Sequence, residues 1–195
     1  MDALVHIADL LIQTFFYLYI LAFLLRLLLQ LSRADFYNPI SQSLVKITQP
    51  ILKPARRVIP SIGRLDTASI VVVLLLQLIA TSLLLLIRQY MPNLVQILPW
   101  AIVGTINLVI NIYFVAIIAV VIISWVAPSS YNPVIILLQQ LTEPVIAPFR
   151  KIIPPMGGLD ISVIFVFLTI KVLQIILTNI AGVIPYVPLD YIIGI

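Results

Sequence analysis

The sequence predicts an all-α membrane protein in which four transmembrane helices form two parallel repeats, each made of a span, a cytoplasmic amphipathic hairpin and a second span. Three observations support this fold class. Of the 195 residues, 63% are hydrophobic and only 9% are charged, a composition far from that of a soluble domain. Four apolar stretches approach or exceed the roughly 20 residues that cross a bilayer as a helix. A charged, proline-containing motif occurs twice, at a constant offset of 94 residues.

The four apolar stretches are interpreted as permanent spans. The first has no basic leader and no small-residue cleavage site, so it is not interpreted as a secretion signal. The predicted spans cover about residues 10–31, 67–87, 101–126 and 161–184. The first repeat is therefore predicted to comprise residues 1–95 and the second repeat residues 96–195.

The repeated motif reads TQPILKPARRVIPSIGRLD at Thr48–Asp66 and TEPVIAPFRKIIPPMGGLD at Thr142–Asp160. Aligning residues 37–66 with residues 131–160 requires no gap and gives 13 identities in 30 positions. Each repeat crosses the membrane an even number of times, so both copies must have the same orientation. We therefore expect the two motif loops on one side of the membrane.

The distribution of basic residues predicts which side that is. Eight of the eleven Lys and Arg residues fall in the motif regions and the segments leading into them, namely Arg33, Lys46, Lys53, Arg56, Arg57, Arg64, Arg150 and Lys151. Because basic residues accumulate in cytoplasmic loops, both motif loops are predicted to be cytoplasmic and both termini to lie outside. The expected counter-charges are membrane phospholipids, and nucleic acid is not expected as a partner.

Within each motif copy, the local pattern predicts two short helices. Asn38 and Asn132 are expected to cap the first helix of each copy, with a proline in its first turn, and this helix is expected to end near residue 47 or 141. A second short helix is expected to follow. A threonine is expected to cap this helix, a proline two residues later to lie in its first turn, and a deeper proline to kink or break it. These residues are Thr48, Pro50 and Pro54 in the first copy and Thr142, Pro144 and Pro148 in the second. The result would be a hairpin in the headgroup layer.

The charged residues of the motif allow two interpretations. In the first, the basic pairs face phosphate in the headgroup layer, and Asp66 and Asp160 cap the spans that follow. The basic pairs are Arg56 with Arg57 and Arg150 with Lys151. In the second, Arg56 and Arg150 form a cytoplasmic site for an anion or a partner protein, paired with the two aspartates.

Polar residues inside the spans are a further candidate site. Lys171 is expected near the bilayer centre, where a charge costs roughly 2.5–3.5 kcal/mol on insertion scales, so it should face the bundle interior and meet Asn111, Gln77 or a water molecule. The remaining members of this group are Asn107 and Gln174. The group either joins helices by hydrogen bonds or lines a hydrated path. Arg26 is close to its loop and is expected to extend to the cytoplasmic headgroups.

Enzymatic chemistry finds little support in the sequence. The chain has no cysteine and one histidine, His6, so thiol chemistry, Cys-ligated metals and a bis-histidine haem are excluded within this chain. The sequence contains no Walker loop, no G-x-S-x-G and no H-E-x-x-H. We predict no catalytic residue, no cofactor and no metal site, and we predict that the protein is not an enzyme.

The two motif copies resemble those of the YggT (YGGT/YlmG) family of membrane proteins. Each copy contains YNP, then T-x-P-x-x-x-P-x-R-[RK]-x-I-P, then G-x-L-D. The first copy departs from the pattern at Arg64, where the second copy has Gly158. The resemblance implies a bacterial inner membrane location and a link to osmotic stress tolerance, cell division or cytochrome assembly.

Two functions are consistent with these patterns. The first is a non-enzymatic accessory or assembly protein whose basic amphipathic loops engage lipid headgroups or a membrane or cytoplasmic protein partner. The alternative is a small channel or transporter subunit in osmoadaptation. Four helices enclose little space, so the alternative requires a homo-oligomer with a polar path around Lys171.

Overall fold

The computed structural model describes residues 2–63, 65–127, 131–153, 160–184 and 193–194. It confirms the predicted all-α architecture with four helices that are long and apolar enough to span a membrane. The described residues form six helices and no named strand. The helices are α1 (Asp2–Leu31), α2 (Pro39–Val58), α3 (Thr67–Ile87), α4 (Leu94–Val126), α5 (Pro133–Ile152) and α6 (Ser162–Val183).

Four of these helices, α1, α3, α4 and α6, are long and apolar enough to cross a membrane. They coincide with the four predicted spans, although α1 and α4 begin several residues earlier than the apolar pattern indicates. At α4 the reason is local, because the side chain of Asn93 accepts a hydrogen bond from the Val95 amide at 3.1 Å and caps the helix.

The long helices pack in a row. Helix α3 packs between α1 and α4, and α6 packs against the other side of α4, whereas α1 meets α4 at only a few positions. The largest buried cluster is centred on α1 and α3 and includes Phe23, Leu24 and Val73, with Leu108 of α4 and Leu52 of α2. One consequence is that α3 has two long neighbours and α6 has one.

The amphipathic helices α2 and α5 meet at one end of this row. The Asn38 side-chain amide donates a hydrogen bond to the Pro133 carbonyl at 2.8 Å, and the Asp35 amide donates to Oε1 of Gln140 at 2.9 Å. The two motif segments therefore occupy the same end of the bundle, which is called the motif end below.

The predicted second short helix in each motif is wrong, because α2 and α5 run without a break through both of their internal prolines. Asn38 and Asn132 cap the helices, as predicted for the first short helix of each copy, with a proline at the first helical position. The two threonines lie in mid-helix, where the Thr48 and Thr142 hydroxyls donate to carbonyls one turn earlier, at 2.7 and 2.9 Å.

The prolines are tolerated because of where they face. Each interior proline removes one helical hydrogen bond, and Pro50, Pro54, Pro144 and Pro148 all lie on the exposed side of their helices. Water can therefore bind the carbonyls that lose a donor. The opposite, buried sides of α2 and α5 pack against the bundle, and this packing stabilises each helix across its prolines.

Candidate functional site

The first ion-pair site joins the end of α2 to the start of α3. Arg56 Nη2 lies 2.5 Å from Oδ2 of Asp66, whose side chain is only 1% exposed. Asp66 also caps α3 by accepting bonds from the Ser69 amide at 3.4 Å and the Ser69 hydroxyl at 2.6 Å. The predicted role of Asp66 as a cap is thus present in the structure. Arg56 is bound to this carboxylate and thereby links the end of α2 to the start of α3.

The same contacts set the charge of the Asp66 carboxyl. Burial alone would raise the pKa of Asp66, but the hydrogen bonds from Arg56 and Ser69 outweigh burial and hold this pKa below its usual value. Asp66 is therefore an ionised acceptor at neutral pH. This carboxylate lies at the motif end, outside the membrane-spanning helices.

Arg26 belongs to the first ion-pair site, and its predicted extension to headgroups is wrong. The residue is 6% exposed. Its guanidinium donates to the hydroxyl of Thr48 at 2.6 Å and to Oε1 of Gln49 at 3.1 Å. Because α2 folds back against α1, the guanidinium meets these neutral acceptors inside the protein. Arg26 also interacts electrostatically with Arg56, which repels it, and with Asp66, which attracts it.

The second ion-pair site joins α5 to α6 in a similar way. Arg150 Nε donates to Oδ2 of Asp160 at 3.0 Å, and Nη1 donates to Glu143 Oε1 at 3.0 Å. Asp160 also accepts from the amide of Ser162 at 3.1 Å and from its hydroxyl. The predicted capping role of Asp160 is wrong, because the N-cap position of α6 is Ile161 and has no side-chain cap bond. This site is more open than the first, since the Asp160 side chain is 28% exposed.

Both charged groups of the second site have shifted pKa values. Burial opposes ionisation of Arg150, but Asp160 and Glu143 outweigh burial and raise the pKa of the guanidinium. Burial likewise acts to raise the pKa of Asp160, and the hydrogen bonds from Ser162 and Arg150 lower it overall. Arg56 and Arg150 are thus already paired with carboxylates, while their neighbours Arg57 and Lys151 are exposed.

The intramembrane polar residues do not converge as predicted. Lys171 is exposed on α6, where its Nζ donates to Oε1 of Gln174 at 3.0 Å and lies 4.4 Å from the ring centroid of Phe114. Gln174 in turn donates to Oδ1 of Asn111 at 2.7 Å. The prediction that Lys171 faces the interior is therefore wrong, and its link to Asn111 passes through Gln174.

Gln77 and Asn107 bind the backbone of the carboxyl-terminal segment. Gln77 is fully buried and donates to the Ile193 carbonyl at 2.8 Å, and Asn107 donates to the Gly194 carbonyl at 2.5 Å. Sequence reasoning did not find these acceptors, because a backbone carbonyl leaves no trace in residue identity. Lys171 and Gln77, at matching positions of the two copies, thus have different surroundings.

One ion pair was not anticipated. Nη2 of Arg88, just after α3, lies 2.5 Å from Oδ2 of Asp9 in α1, and the Asp9 side chain is 8% exposed. The only sequence signal is a pair of opposite charges at the ends of consecutive spans away from the motif loops. This pair fixes α1 to α3 at the end opposite α2 and α5.

The described residues contain no group of three or more His, Asp or Glu side chains that could hold a metal ion. Four buried side-chain atoms in the described part of the chain have no hydrogen-bond partner within the protein: Asp9 Oδ1, Gln77 Oε1, Thr81 Oγ1 and Trp100 Nε1. They are distributed over three helices and do not form a catalytic arrangement. The site consists of structural ion pairs at the motif end and a polar surface on α6.

Four apolar helices joined by amphipathic, ion-paired segments define a multi-pass helical membrane protein. The sequence profile of the CCB3/YggT family matches residues 5–94 and 99–181. This chain belongs to the CCB3/YggT family, as its motif copies predicted.

Relatives similar to this chain are known in several bacteria. It is 45% identical over 170 residues to the uncharacterized protein PA0392 of Pseudomonas aeruginosa, covering 86% of each chain. It is 37% identical over 164 residues to the uncharacterized protein YggT of Escherichia coli, covering 84% of this chain and 85% of the relative. It is 38% identical over 174 residues to an uncharacterized protein of Vibrio alginolyticus, covering 88% and 94%. No solved structure matches the chain.

Proposed function

We propose that this protein is a non-enzymatic accessory or assembly protein of the bacterial inner membrane, and that it binds a transmembrane helix of a partner through α6. The observation that carries the proposal is the polar, uncovered surface of α6. Within the proposed parallel repeats, the corresponding surface of α3 is covered. The process served, as the family resemblance implies, is osmotic stress tolerance, cell division or cytochrome assembly.

Corresponding positions of α3 and α6 differ in burial. The α6 outer face is defined here as the four exposed residues Lys171, Ile175, Thr178 and Asn179. At the 94-residue offset their counterparts in α3 are Gln77, Thr81, Leu84 and Leu85, which are at most 5% exposed. The α3 residues are covered because α3 lies between α1 and α4. A partner helix on the α6 outer face would occupy a place like that of α4 beside α3.

The chemistry of the α6 outer face favours a protein partner over lipid. Lys171 lies roughly 14 Å along α6 from Ser162 at 1.5 Å per residue, near the middle of a hydrocarbon core about 30 Å thick. An ammonium at that depth costs roughly 2.5–3.5 kcal/mol on insertion scales. The bond to Gln174 and the Phe114 ring offset part of this cost, and a partner helix with a polar or acidic side chain would offset more.

The motif end is proposed to face the cytoplasm, with both termini on the periplasmic side. This orientation agrees with the concentration of basic residues at that end. Arg57 and Lys151 are exposed and would contact phosphate in the headgroup layer. Arg56 and Arg150 hold the loops through their aspartates, so they are not assigned to an anion site.

Site-specific photocrosslinking in cells tests partner binding. A crosslinking residue placed at Ile175 or Asn179, on the α6 outer face, should yield one defined protein adduct. Placed at Leu173 or Ile180, which are exposed on the other side of α6, it should yield lipid only. The substitution Lys171→Leu should reduce the protein adduct severalfold. Lipid adducts alone from all four positions would contradict the proposal.

A channel or transporter subunit is the second candidate. The observation that favours it is the hydrogen-bonded chain from Lys171 through Gln174 to Asn111, which would line a shared axis if several copies met at the α6 outer face. An adduct between two copies of this chain in the crosslinking experiment would support that assembly. Ion flux in reconstituted vesicles, lost in Lys171→Leu, would then establish the function.

A further inference from the structure

A cleft of about 510 Å³ lies between α4, α5 and α6 near the motif end. Its walls toward the membrane interior are apolar, and its other end carries polar and charged groups. The apolar walls include Val120, Val121, Ile164 and Phe167, and the polar end includes Ser124, Arg150 and Asp160. Its volume falls within the range of about 300–1,000 Å³ for small-molecule sites.

In the first repeat, the position corresponding to the cleft wall carries a long basic side chain. At the 94-residue offset, Val120 corresponds to Arg26, which is buried and bound to Thr48 and Gln49 of α2. Valine ends at two methyl groups and cannot reach α5. The second copy therefore lacks both the bulk and the positive charge that Arg26 supplies in the first.

The net charge of the two ion-pair sites also differs, and the second site is the less positive one. The first site has two arginines, Arg26 and Arg56, against the single carboxylate of Asp66, a formal charge of +1. The second site has Arg150 against Asp160 and Glu143, a formal charge of −1. Gln49 of the first copy corresponds to Glu143 of the second. The open cleft therefore lies beside an excess of negative charge, and it complements a cation.

We infer that this cleft binds one molecule of an aminophospholipid with a zwitterionic headgroup. The ammonium group would lie near Asp160 and Glu143, and the acyl chains would lie along Val120 and Phe167. Trp125 is exposed and lines the cleft, and an aromatic ring can bind the same cation. The cleft runs from the motif end toward the membrane interior, and its lining changes from charged to apolar along this direction. A phospholipid changes in the same direction, from its headgroup to its acyl chains.

An anionic lipid fits this cleft less well. The guanidinium of Arg150 already donates to two carboxylates, so a phosphate without a cationic group would meet a net negative site. Lys151, one residue further along α5, is exposed and is not among the described residues that line the cleft. Binding of this lipid rests on the proposed contact with headgroups and makes it more specific. It does not depend on a partner at the α6 outer face.

Native mass spectrometry of the purified protein in detergent tests the inference. The protein is equilibrated with equal amounts of phosphatidylethanolamine and phosphatidylglycerol that carry identical acyl chains. We expect one retained phosphatidylethanolamine, preferred about fivefold over phosphatidylglycerol, which is the upper range for one partly exposed charge pair. Phosphatidylcholine, whose ammonium cannot donate a hydrogen bond to a carboxylate, should be retained less than phosphatidylethanolamine.

Three variants locate the lipid. Val120→Arg gives the second copy the arginine of the first and should abolish specific retention. Ile122→Arg adds the same charge two residues away at an exposed position of α4 and should leave retention unchanged. Glu143→Gln copies Gln49 of the first repeat and should reduce the preference to about twofold, since one exposed charge pair is lost.

The outcomes separate this inference from the proposed function. Retention of both lipids without preference overturns the inference while leaving general contact with headgroups intact. A preference for phosphatidylglycerol, or unchanged retention by Val120→Arg, also overturns it. If Val120→Arg does not fold, Glu143→Gln decides, because that side chain is 55% exposed and its loss does not disturb the core.

Discussion

Matched substitutions in the two ion-pair sites, Asp66→Asn and Asp160→Asn, should have unequal effects on stability. Both replace a carboxylate by an isosteric amide whose oxygen can still accept the hydrogen bond from the backbone amide of Ser69 or Ser162. In the first site the change removes the carboxylate that attracts both Arg26 and Arg56. The Asp66 side chain is only 1% exposed. In the second site Arg150 keeps Glu143 as a partner, and Asp160 is 28% exposed.

The expected difference can be estimated from these surroundings. Breaking a fully buried ion pair costs about 3–5 kcal/mol; Arg56 is about one-third exposed, so we expect about 2–4 kcal/mol for Asp66→Asn. Breaking a partly exposed pair costs up to about 1 kcal/mol, which we expect for Asp160→Asn. The two proteins should therefore differ by about 2 kcal/mol, with Asp66→Asn the less stable.

Reversible unfolding in mixed detergent micelles, followed by circular dichroism, measures both values under one set of conditions. The wild-type protein and both variants must show equal helical content before unfolding. Equal losses of stability in the two variants, or a larger loss in Asp160→Asn, would refute the argument that burial and the Arg26 charge make the first site the stronger one.

Further predictions concern other buried groups, all measured by the same unfolding assay. Arg26→Met should change stability by less than about 1 kcal/mol, because relief of the buried charge offsets two lost hydrogen bonds. A loss of stability above about 3 kcal/mol would contradict this. Since Asp66 has a depressed folded pKa, its contribution is complete above the unfolded pKa of about 3.9 and is lost as pH falls through the folded value. The acid-induced fall in stability should therefore be smaller in Asp66→Asn, and an unchanged fall would exclude this group as its source. A double-mutant cycle with Asp9→Asn and Arg88→Gln should give a coupling energy of about 1–3 kcal/mol, and additive effects would mean that the pair does not bind in solution. Gly194→Ala should destabilise by about 1–3 kcal/mol, because a Cβ there would lie 2.2 Å from a leucine side chain and φ is +100°; no effect would place the terminal segment elsewhere.

Local chemistry made much of the fold predictable from the sequence. The lengths of the apolar stretches identified all four long helices, because the hydrocarbon core demands continuous apolar surface and internal backbone hydrogen bonding. Asn38 and Asn132 were recognisable as caps because each is followed by a proline suited to a first helical turn. Asp66 was recognisable because it immediately precedes an apolar helix.

The errors arose where the outcome depends on distant neighbours. Arg26 is near a loop, which favours headgroup contact, but the path of α2 brings Thr48 to it across 22 positions of sequence. The prolines of α2 were expected to break it, and the exposed orientation that makes them tolerable is visible only after packing. Lys171 and Gln77 are equivalent in sequence, yet only α3 has a second long helix beside it.

Oxygen accessibility of spin labels on α6 tests the central claim most directly. The chain has no cysteine, so Ile175→Cys and Ile180→Cys each carry a single label without background. Oxygen accessibility of each labelled protein is measured in two samples. In one, the purified protein is reconstituted in lipid; in the other, the protein is extracted from cells in polymer-bounded native membrane. We expect oxygen accessibility at position 175 to fall severalfold in the native membrane, while position 180 stays lipid-exposed. Equal, high accessibility at both positions in native membrane would contradict a partner on this helix.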